Sequence, residues 1–222
     1  MMISRTPMKL KLLYLLLVFC VATAHAQKAL TEGTVKYKVV FENANHQKFN
    51  GMYVFTFKNG NIRKELTLTN GFRDVVIMNT NNNTIYSLHD KNSKRFAIQL
   101  SMDETRGRQA KYVGFTTAEQ AGGVRDFGTV KGQKVMVTYK DGSHADIYYT
   151  KDWYAEKGIT YERFPDAKFL PLYYTYADDA RGFSMSMEAT EVSAAPVENS
   201  LFRVPADYRI ITNEEYKQLS RE

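Results

Sequence analysis

Cysteine is nearly absent from this sequence, which has a single one, Cys20, among 222 residues. One cysteine cannot form an intramolecular disulfide, and thiolate metal sites need several. The sequence also has no apolar run that approaches the roughly 20 residues of a transmembrane helix. It has no HExxH, GxSxG or P-loop signature, so the common zinc, serine-hydrolase and nucleotide chemistries have no motif here.

The N-terminus has the three regions of a secretory signal peptide. Three basic residues precede an apolar stretch of about ten residues, 12–21. Ala24-His25-Ala26 then has the small-x-small pattern of a cleavage site. We predict that residues 1–26 are removed on export and that residues 27–222 form one β-rich domain in the periplasm or outside the cell.

A lipoprotein signal is the alternative interpretation, in which Cys20 becomes a lipidated N-terminus. The bulky Phe19 disfavours it, because a lipobox has a small residue just before the cysteine. Cleavage after Ala26 is therefore the leading prediction, and lipid anchoring through Cys20 stays the alternative.

Charge gives no sign of a nucleic-acid partner. The formal net charge of +6 falls to +3 once the three basic residues of the signal are removed with it. Nucleic-acid-binding proteins typically gather Lys and Arg on one stripe of the surface. Here Lys and Arg are scattered among Asp and Glu.

Six stretches in the first half of the chain have the pattern of strands separated by turns. They are residues 34–41, 52–57, 62–68, 72–78, 84–88 and 94–100. Asn59-Gly60 is a strong hairpin signal between the second and the third. With the strands expected in the second half, they predict a mainly β protein. Its centre is one strongly curved antiparallel sheet of about ten strands, a half-barrel with a few short helices.

Two helices are predicted. Thr212 and Glu215 form a T-x-x-E capping box that begins a helix over residues 213–219. Tyr216 and Leu219, three apart, lie on its predicted inner face. Residues 101–123 are expected to be irregular chain with a short helix over 117–121, and so long a connection is typical of either a lid or a plain connector.

Residues 126–153 give the clearest hairpin signal. If Asp141-Gly142 is a two-residue turn, Tyr139 lies opposite His144 and Met136 lies opposite Ile147. Both faces of the hairpin are then partly apolar. A sheet that is solvated on one side alternates cleanly, so this pattern predicts that both faces are covered.

The hairpin also contains the best candidate for a catalytic or metal site. His144 and Asp146 are two apart on a strand and share a face, with Asp141 in the turn before them. A hydrolytic or zinc site needs further ligands or a positioned nucleophile, which the sequence does not supply. Turn chemistry for Asp141 and ordinary polar strand positions for the other two are the favoured interpretation.

Three short motifs resemble a group of exported bacterial proteins of unknown function, the GLPGLI-like families. They are TVKGQK at residues 129–134, LPL at 170–172 and FRVPADY at 202–208. These families are similar to the LolA and LppX lipoprotein-handling proteins. The resemblance implies a bent antiparallel sheet that wraps around helices and leaves an apolar cavity.

An apolar ligand is the function that these features favour. Phe183, Met185 and Met187 share one face of a strand, and methionine is common in adaptable apolar pockets. With Met136 and Ile147 they are the candidates for a cavity wall. We predict a non-catalytic protein, without metal or cofactor, that binds or transfers a lipid or a lipoprotein acyl chain. The alternatives are a cell-envelope protein–protein interaction module and, less favoured, an enzyme built on Asp141, His144 and Asp146.

Overall fold

A computed structural model describes residues 28–91, 93–150, 152–155, 161–165, 167–178 and 182–219. The predictions of a signal peptide over residues 1–26 and of an anchor at Cys20 lie outside these residues. Within them, no helix is long and apolar enough to cross a membrane.

Fourteen strands and two α-helices make up the described chain. The strands are β1 Lys28–Leu30, β2 Glu32–Glu42, β3 Lys48–Lys58, β4 Asn61–Leu68, β5 Arg73–Asn79, β6 Thr84–Lys91, β7 Lys94–Ser101, β8 Thr116–Phe127, β9 Val130–Thr138, β10 His144–Thr150, β11 Trp153–Ala155, β12 Leu170–Asp178, β13 Phe183–Ser193 and β14 Arg209–Thr212. The helices are α1 Met102–Gln109 and α2 Asn213–Leu219, and 3-10 turns occur at Ala110–Tyr112 and Asn199–Phe202.

One sheet contains twelve of the strands, in the order β14-β7-β6-β5-β4-β3-β2-β13-β12-β10-β9-β8, and β1 pairs with β11 separately. All neighbours in the large sheet are antiparallel except β14 and β7, which are parallel. The six predicted strands of the first half become the consecutive neighbours β2 to β7. The prediction of a mainly β protein with one large antiparallel sheet is confirmed, with twelve strands in place of about ten.

The sheet is strongly curved, as predicted. Arg125 of β8 is four strands away from Glu188 of β13, and strands about 4.8 Å apart would separate the two by roughly 19 Å in a flat sheet. Arg125 Nη2 is instead 2.7 Å from Glu188 Oε1. The end of the sheet therefore curls back on itself, although its terminal strands β8 and β14 do not pair with each other.

The connection over residues 101–123 differs from the prediction. Residues 117–121 are not helical but belong to β8, which pairs with β9 and is interrupted by a bulge between Glu119 and Val124. The helix lies earlier, in α1. Ala, Glu and Gln are good helix formers, but helix propensity amounts to less than about 1 kcal/mol per residue, so the hydrogen-bond partners that β9 offers decide the outcome.

The two faces of the large sheet differ in what covers them. We call the face that carries Val35, Tyr37 and Val39 the core face, because these three side chains are fully buried. The other is the opposite face. On strands β5 to β7 the opposite face is apolar too, and the C-terminal segment covers it through Val204 and Tyr208. The covered side chains are Val75, Ile77, Leu88 and Ala97.

The C-terminal segment ends in the predicted helix. Thr212 Oγ1 accepts a hydrogen bond from the Glu215 N–H at 3.2 Å, and Glu215 Oε2 accepts one from the Thr212 N–H at 2.7 Å. This reciprocal pair is the predicted capping box. Tyr216 packs on the core face against His89 and Phe96. Leu219, predicted to face inward, is exposed.

Candidate functional site

The β9–β10 hairpin has a different register from the predicted one. The Tyr139 N–H donates to the Ser143 carbonyl, the Gly142 N–H donates to the Tyr139 carbonyl, and Gly142 has a φ of 83°. The loop therefore has three residues, a type I turn followed by a left-handed glycine. Thr138 lies opposite His144. The predicted pairing of Tyr139 with His144 is wrong by one residue.

The one-residue shift moves Met136 and Ile147 to different faces. Ile147 pairs with Val135, and both lie on the core face. Met136 pairs with Asp146, and both lie on the opposite face. A shift of one residue in one strand exchanges the faces of all its side chains. Near its turn the hairpin alternates cleanly with the observed register, and the predicted second covered face is wrong there. Its core face has buried Val135, Val137, Tyr139 and Ile147, and its opposite face has Lys134, Thr138, His144 and Asp146. At the base of the hairpin the opposite face is covered, because Val130 is buried and Tyr148 contacts Phe127.

The candidate trio in this hairpin does not form a site. Asp141 Oδ1 accepts hydrogen bonds from the N–H and the hydroxyl of Ser143, at 2.9 and 2.6 Å, which is turn chemistry. The ring of His144 is 3.1 Å from Thr138 Oγ1, and Asp146 pairs with Lys134 at 2.7 Å. Each member of the trio thus has its own local partner. Across the described parts of the chain, no group of three His, Cys, Asp or Glu side chains is arranged to hold a metal ion.

Four of the five candidate wall residues lie on the core face. Ile147, Met185 and Met187 are buried in the large apolar cluster of that face. Phe183, in register with the two methionines, is partly exposed at the end of β13 and stacks on Phe41, with ring centroids 5.3 Å apart. Met136, half-buried on the opposite face, is separated from them by the sheet.

A non-strand segment fills the middle of the core face. We call its three large rings, Tyr161, Phe164 and Phe169, the aromatic plug. Tyr161 stacks on Phe55 with the ring centroids 4.8 Å apart and the planes at 13°, and Phe164 meets the edge of Tyr174 at 5.3 Å. All three rings are buried. The plug thus occupies the space that the resemblance assigned to a cavity.

Hydrogen bonds from two tyrosines join the plug segment to the sheet. The Tyr37 hydroxyl donates its one hydrogen to the Pro171 carbonyl at 2.8 Å, so the Tyr161 hydroxyl, 2.9 Å away, is the donor to Tyr37. Burial raises the pKa of both phenols, so both stay neutral donors at physiological pH. The Tyr139 hydroxyl donates to the Arg163 carbonyl at 3.3 Å.

Arg163 makes the second attachment. Its guanidinium lies between the rings of Tyr112 and Tyr176, 4.5 and 4.6 Å from their centroids, and donates to the Tyr112 hydroxyl and to the Ala177 carbonyl. Burial lowers the pKa of Arg163, and nearby phenols and Asp178 oppose that change. Cation–π contacts of this kind stabilise a partly buried guanidinium. Arg163 therefore joins the plug segment both to β12 and to the turn at Ala110–Tyr112.

An open depression lies beside the plug. Its volume is about 240 Å³, and it is lined by Gly114, Phe115, Thr117, Lys168 and Phe169. The ring centroid of Phe115 is 6.1 Å from those of Phe164 and of Phe169, so the floor of the depression is continuous with the plug. Pockets for ligands of drug size have volumes of roughly 300–1,000 Å³. The depression alone is too small for such a ligand, and a larger one would have to displace the plug.

The chain is similar to several solved structures, at low sequence identity. For the MucA/MucB complex of Pseudomonas aeruginosa the TM-score is 0.46 and the identity 13%, over 82% of this chain and 59% of that chain. For a LolA superfamily protein from Nitrosomonas europaea the TM-score is 0.37 and the identity 11%, over 80% of this chain and 92% of that chain. For a DUF1329 family protein from Desulfovibrio piger the TM-score is 0.37 and the identity 9%, over 91% of this chain and 100% of that chain.

No family model and no curated protein matches the sequence. The resemblance of residues 129–134, 170–172 and 202–208 to the GLPGLI-like families therefore stays a prediction. The chain spans less than two thirds of the MucB-type chains that it matches.

The structure also brings together polar residues that sequence reasoning missed. Lys64 of β4, Asp74 of β5, and Ser87 and His89 of β6 all lie on the core face, next to its apolar cluster. Ser87 and His89 are two apart on one strand, so the sequence alone could have predicted that they share a face. Their proximity to Lys64 and Asp74 depends on the pairing of three strands, which the sequence does not show.

Ser87, His89 and Asp74 are the residue types of a catalytic triad, but their geometry differs. Ser87 Oγ is 2.9 Å from His89 Nε2. Within the described chain, Asp74 makes no hydrogen bond to His89, so nothing orients the imidazole as a triad requires. The face of a sheet also has its backbone N–H groups engaged in the ladder and offers none to an oxyanion. The cluster suits binding better than acyl transfer.

Proposed function

We propose that this protein is exported and that it binds an apolar ligand, a lipid or a lipoprotein acyl chain, on the core face without covalent chemistry. The observation that carries the proposal is the aromatic plug. The core of the sheet is completed by three rings on a segment outside the ladder, beside an open apolar depression. Such a segment can be replaced by an acyl chain, because the chain buries the same apolar surface.

The wall of the proposed site consists of Ile147, Phe183, Met185 and Met187 together with the rings around the plug. Methionine side chains adapt to ligands of different shape. The entrance is the depression between Phe115 and Phe169, which are in contact with each other. Affinity would come from apolar area and not from any reacting group, and no metal or cofactor is needed.

Lipid uptake tests the proposal. The exported protein is purified and incubated with vesicles that contain a fluorescent acyl lipid, and bound lipid is measured after separation and by native mass spectrometry. We expect one lipid to be taken up per chain. A protein that neither carries lipid from the cell nor takes it up from vesicles would refute the proposal.

A plug variant sharpens this test. Tyr161→Phe removes the hydrogen bond to Tyr37 and keeps the ring, so the plug is held less tightly by about 1 kcal/mol and lipid uptake should be faster. Tyr148→Phe on the opposite face is the matched control, because the Tyr148 hydroxyl is not attached to the plug. Equal uptake rates for the two variants would show that the plug does not control entry.

A protein partner is the second candidate, and the edge strand β8 favours it. β8 has 12 residues and pairs on one side only in the described chain, and Val124 at its bulge is 64% exposed. A partner strand can add to such an edge through main-chain hydrogen bonds. Recovery of the exported protein with a bound protein and without lipid would favour this function over the first.

A further inference from the structure

The polar group next to the apolar cluster is built from three neighbouring strands. Lys64 pairs with Val76 across β4 and β5, and Val76 pairs with Ser87 across β5 and β6. Asp74 is two residues from Val76 on β5, and His89 is two residues from Ser87 on β6, so both lie on the same face as this pair. Tyr216 of α2 borders the group, with its ring centroid 5.2 Å from that of His89.

Asp74 is the unusual member of this group. Its side chain is half-buried, and across the described ranges no hydrogen bond or ion pair reaches its carboxyl group. Burial raises the pKa of Asp74, the charges of His89 and Lys64 oppose the change, and that of Glu162 adds to it. A half-buried carboxylate without a partner destabilises the folded state. Groups with such perturbed pKa values are concentrated at binding and catalytic sites.

Lys64 gives the group a positive potential beside this acid. Its side chain is 6% exposed, its Nζ lies 5.5 Å from the centroid of Phe55, and Phe55 is the ring on which the plug stacks. Burial lowers the pKa of Lys64, and the charges of Glu162 and Asp74 oppose that change. Opposite charges thus stand on adjacent strands at the border of the apolar surface.

We propose that Lys64, Asp74, Ser87 and His89 form a subsite for the zwitterionic head of an amphiphile that bears a primary ammonium and a phosphate. The ammonium would donate to the Asp74 carboxylate, and the phosphate would accept from Ser87 and His89 in the positive field of Lys64. The acyl chain would lie toward Phe55 and the plug. This inference rests on the proposed function and names the class of its ligand.

The chemistry of the four side chains selects this head over simpler ones. A head with phosphate alone leaves the Asp74 carboxylate without a donor, and two anions then face each other. A head with ammonium alone is repelled by Lys64. A zwitterion satisfies both, and a charge-assisted hydrogen bond of about 1.5–3 kcal/mol corresponds to a factor of tenfold or more in affinity.

Calorimetry with short-chain lipids tests the subsite. Dihexanoyl phosphatidylethanolamine is compared with dihexanoyl phosphatidylglycerol, which has no ammonium, and with free phosphoethanolamine, which has no acyl chain. The exported protein should bind the phosphatidylethanolamine about tenfold or more tightly than the phosphatidylglycerol. Asp74→Asn should abolish that preference, and Ser87→Ala should weaken binding. Asp146→Asn, an exposed acid on the opposite face, is the control and should change nothing.

The outcomes separate the two proposals. Equal affinity for both lipids, or an unchanged preference in Asp74→Asn, would overturn the subsite and leave the proposed function standing. Absence of binding by either lipid would overturn both. Free phosphoethanolamine that binds as tightly as the lipid would support the subsite and argue against the apolar part of the site.

Discussion

Strands β5 to β7 and the β9–β10 hairpin look alike in sequence but are covered differently. In β5 to β7 the opposite face is apolar and buried under the C-terminal segment, with Val75 and Leu88 in contact with Val204 and Tyr208. In the hairpin the opposite face carries the Lys134–Asp146 ion pair and an exposed His144. Apolar residues at adjacent positions correspond to two covered faces in the first region, whereas near the turn of the hairpin they reflect a misassigned register.

The difference has a physical cause in each region. A single additional loop residue, Lys140, shifts the register of the hairpin, and near the turn one face is then buried and the other solvated. Strands β5 to β7 have no such freedom, since the Val75–Leu88 and Leu88–Ala97 pairs place apolar side chains together on the opposite face. A distant part of the chain must then cover them. Alternation along one strand is therefore informative only after its partner's register is known.

Large-to-small substitutions on the opposite face should give the largest difference in stability between strands β5 to β7 and the β9–β10 hairpin. Leu88→Ala leaves a cavity under the C-terminal segment and should lower the free energy of unfolding by about 2–5 kcal/mol. Met136→Ala, on the same face of the hairpin, should lower it by less than about 1 kcal/mol. Urea unfolding of the two variants measures both. Equal losses would mean that the hairpin face is covered as well.

The turn of the hairpin gives the next largest effect. Gly142 has a φ of 83°, so Gly142→Ala places a side chain in the left-handed region and should cost roughly 1–2 kcal/mol. No atom lies within 4 Å of the added Cβ, so the cost is one of backbone conformation alone. Gly107→Ala in α1 is the control, with open space and an ordinary φ, and should stabilise the protein. Thermal unfolding of the pair tests the three-residue loop.

The smallest effect, and the most specific, concerns Asp74. Its folded-state pKa is above the unfolded value, so the folded protein binds more protons and loses stability as the pH rises through the interval between the two. Asp74→Asn imitates the protonated acid. It should stabilise the protein at pH 7 and have no effect below the ordinary carboxyl pKa of 3.8. Unfolding measured from pH 3 to pH 8 tests this, and a loss of stability at pH 7 would contradict it.

Much of the fold could be predicted because its signals are local. The alternation of residues 34–41 and the Asn59-Gly60 turn lie within a few residues of the groups that they organise, and both residues of the turn have positive φ. The capping box of Thr212 and Glu215 is equally local. The helix predicted over residues 117–121 failed because β9, a separate strand, supplied stronger hydrogen bonding.

The candidate site was predicted less well, because its parts come from distant segments. Ile147, Met185 and Met187 were identified as apolar, but their place in one cluster with Tyr161 and Phe164 depends on tertiary packing between distant parts of the chain. Met136 was assigned to the wrong face by one residue of register. Asp74 gave no signal, since an acid in a strand is normally solvated.

The sequence by itself determined the type of each element: strands from their period of two, turns from Asn-Gly and Asp-Gly, and the last helix from its cap. These depend on backbone sterics and on hydrogen bonds between near neighbours. Only the tertiary structure decided which faces are buried, what fills the core face and which charges meet there. Those outcomes depend on apolar area and desolvation summed over segments that are far apart in the chain. The plug against Phe55 and the acid beside Lys64 are both products of that sum.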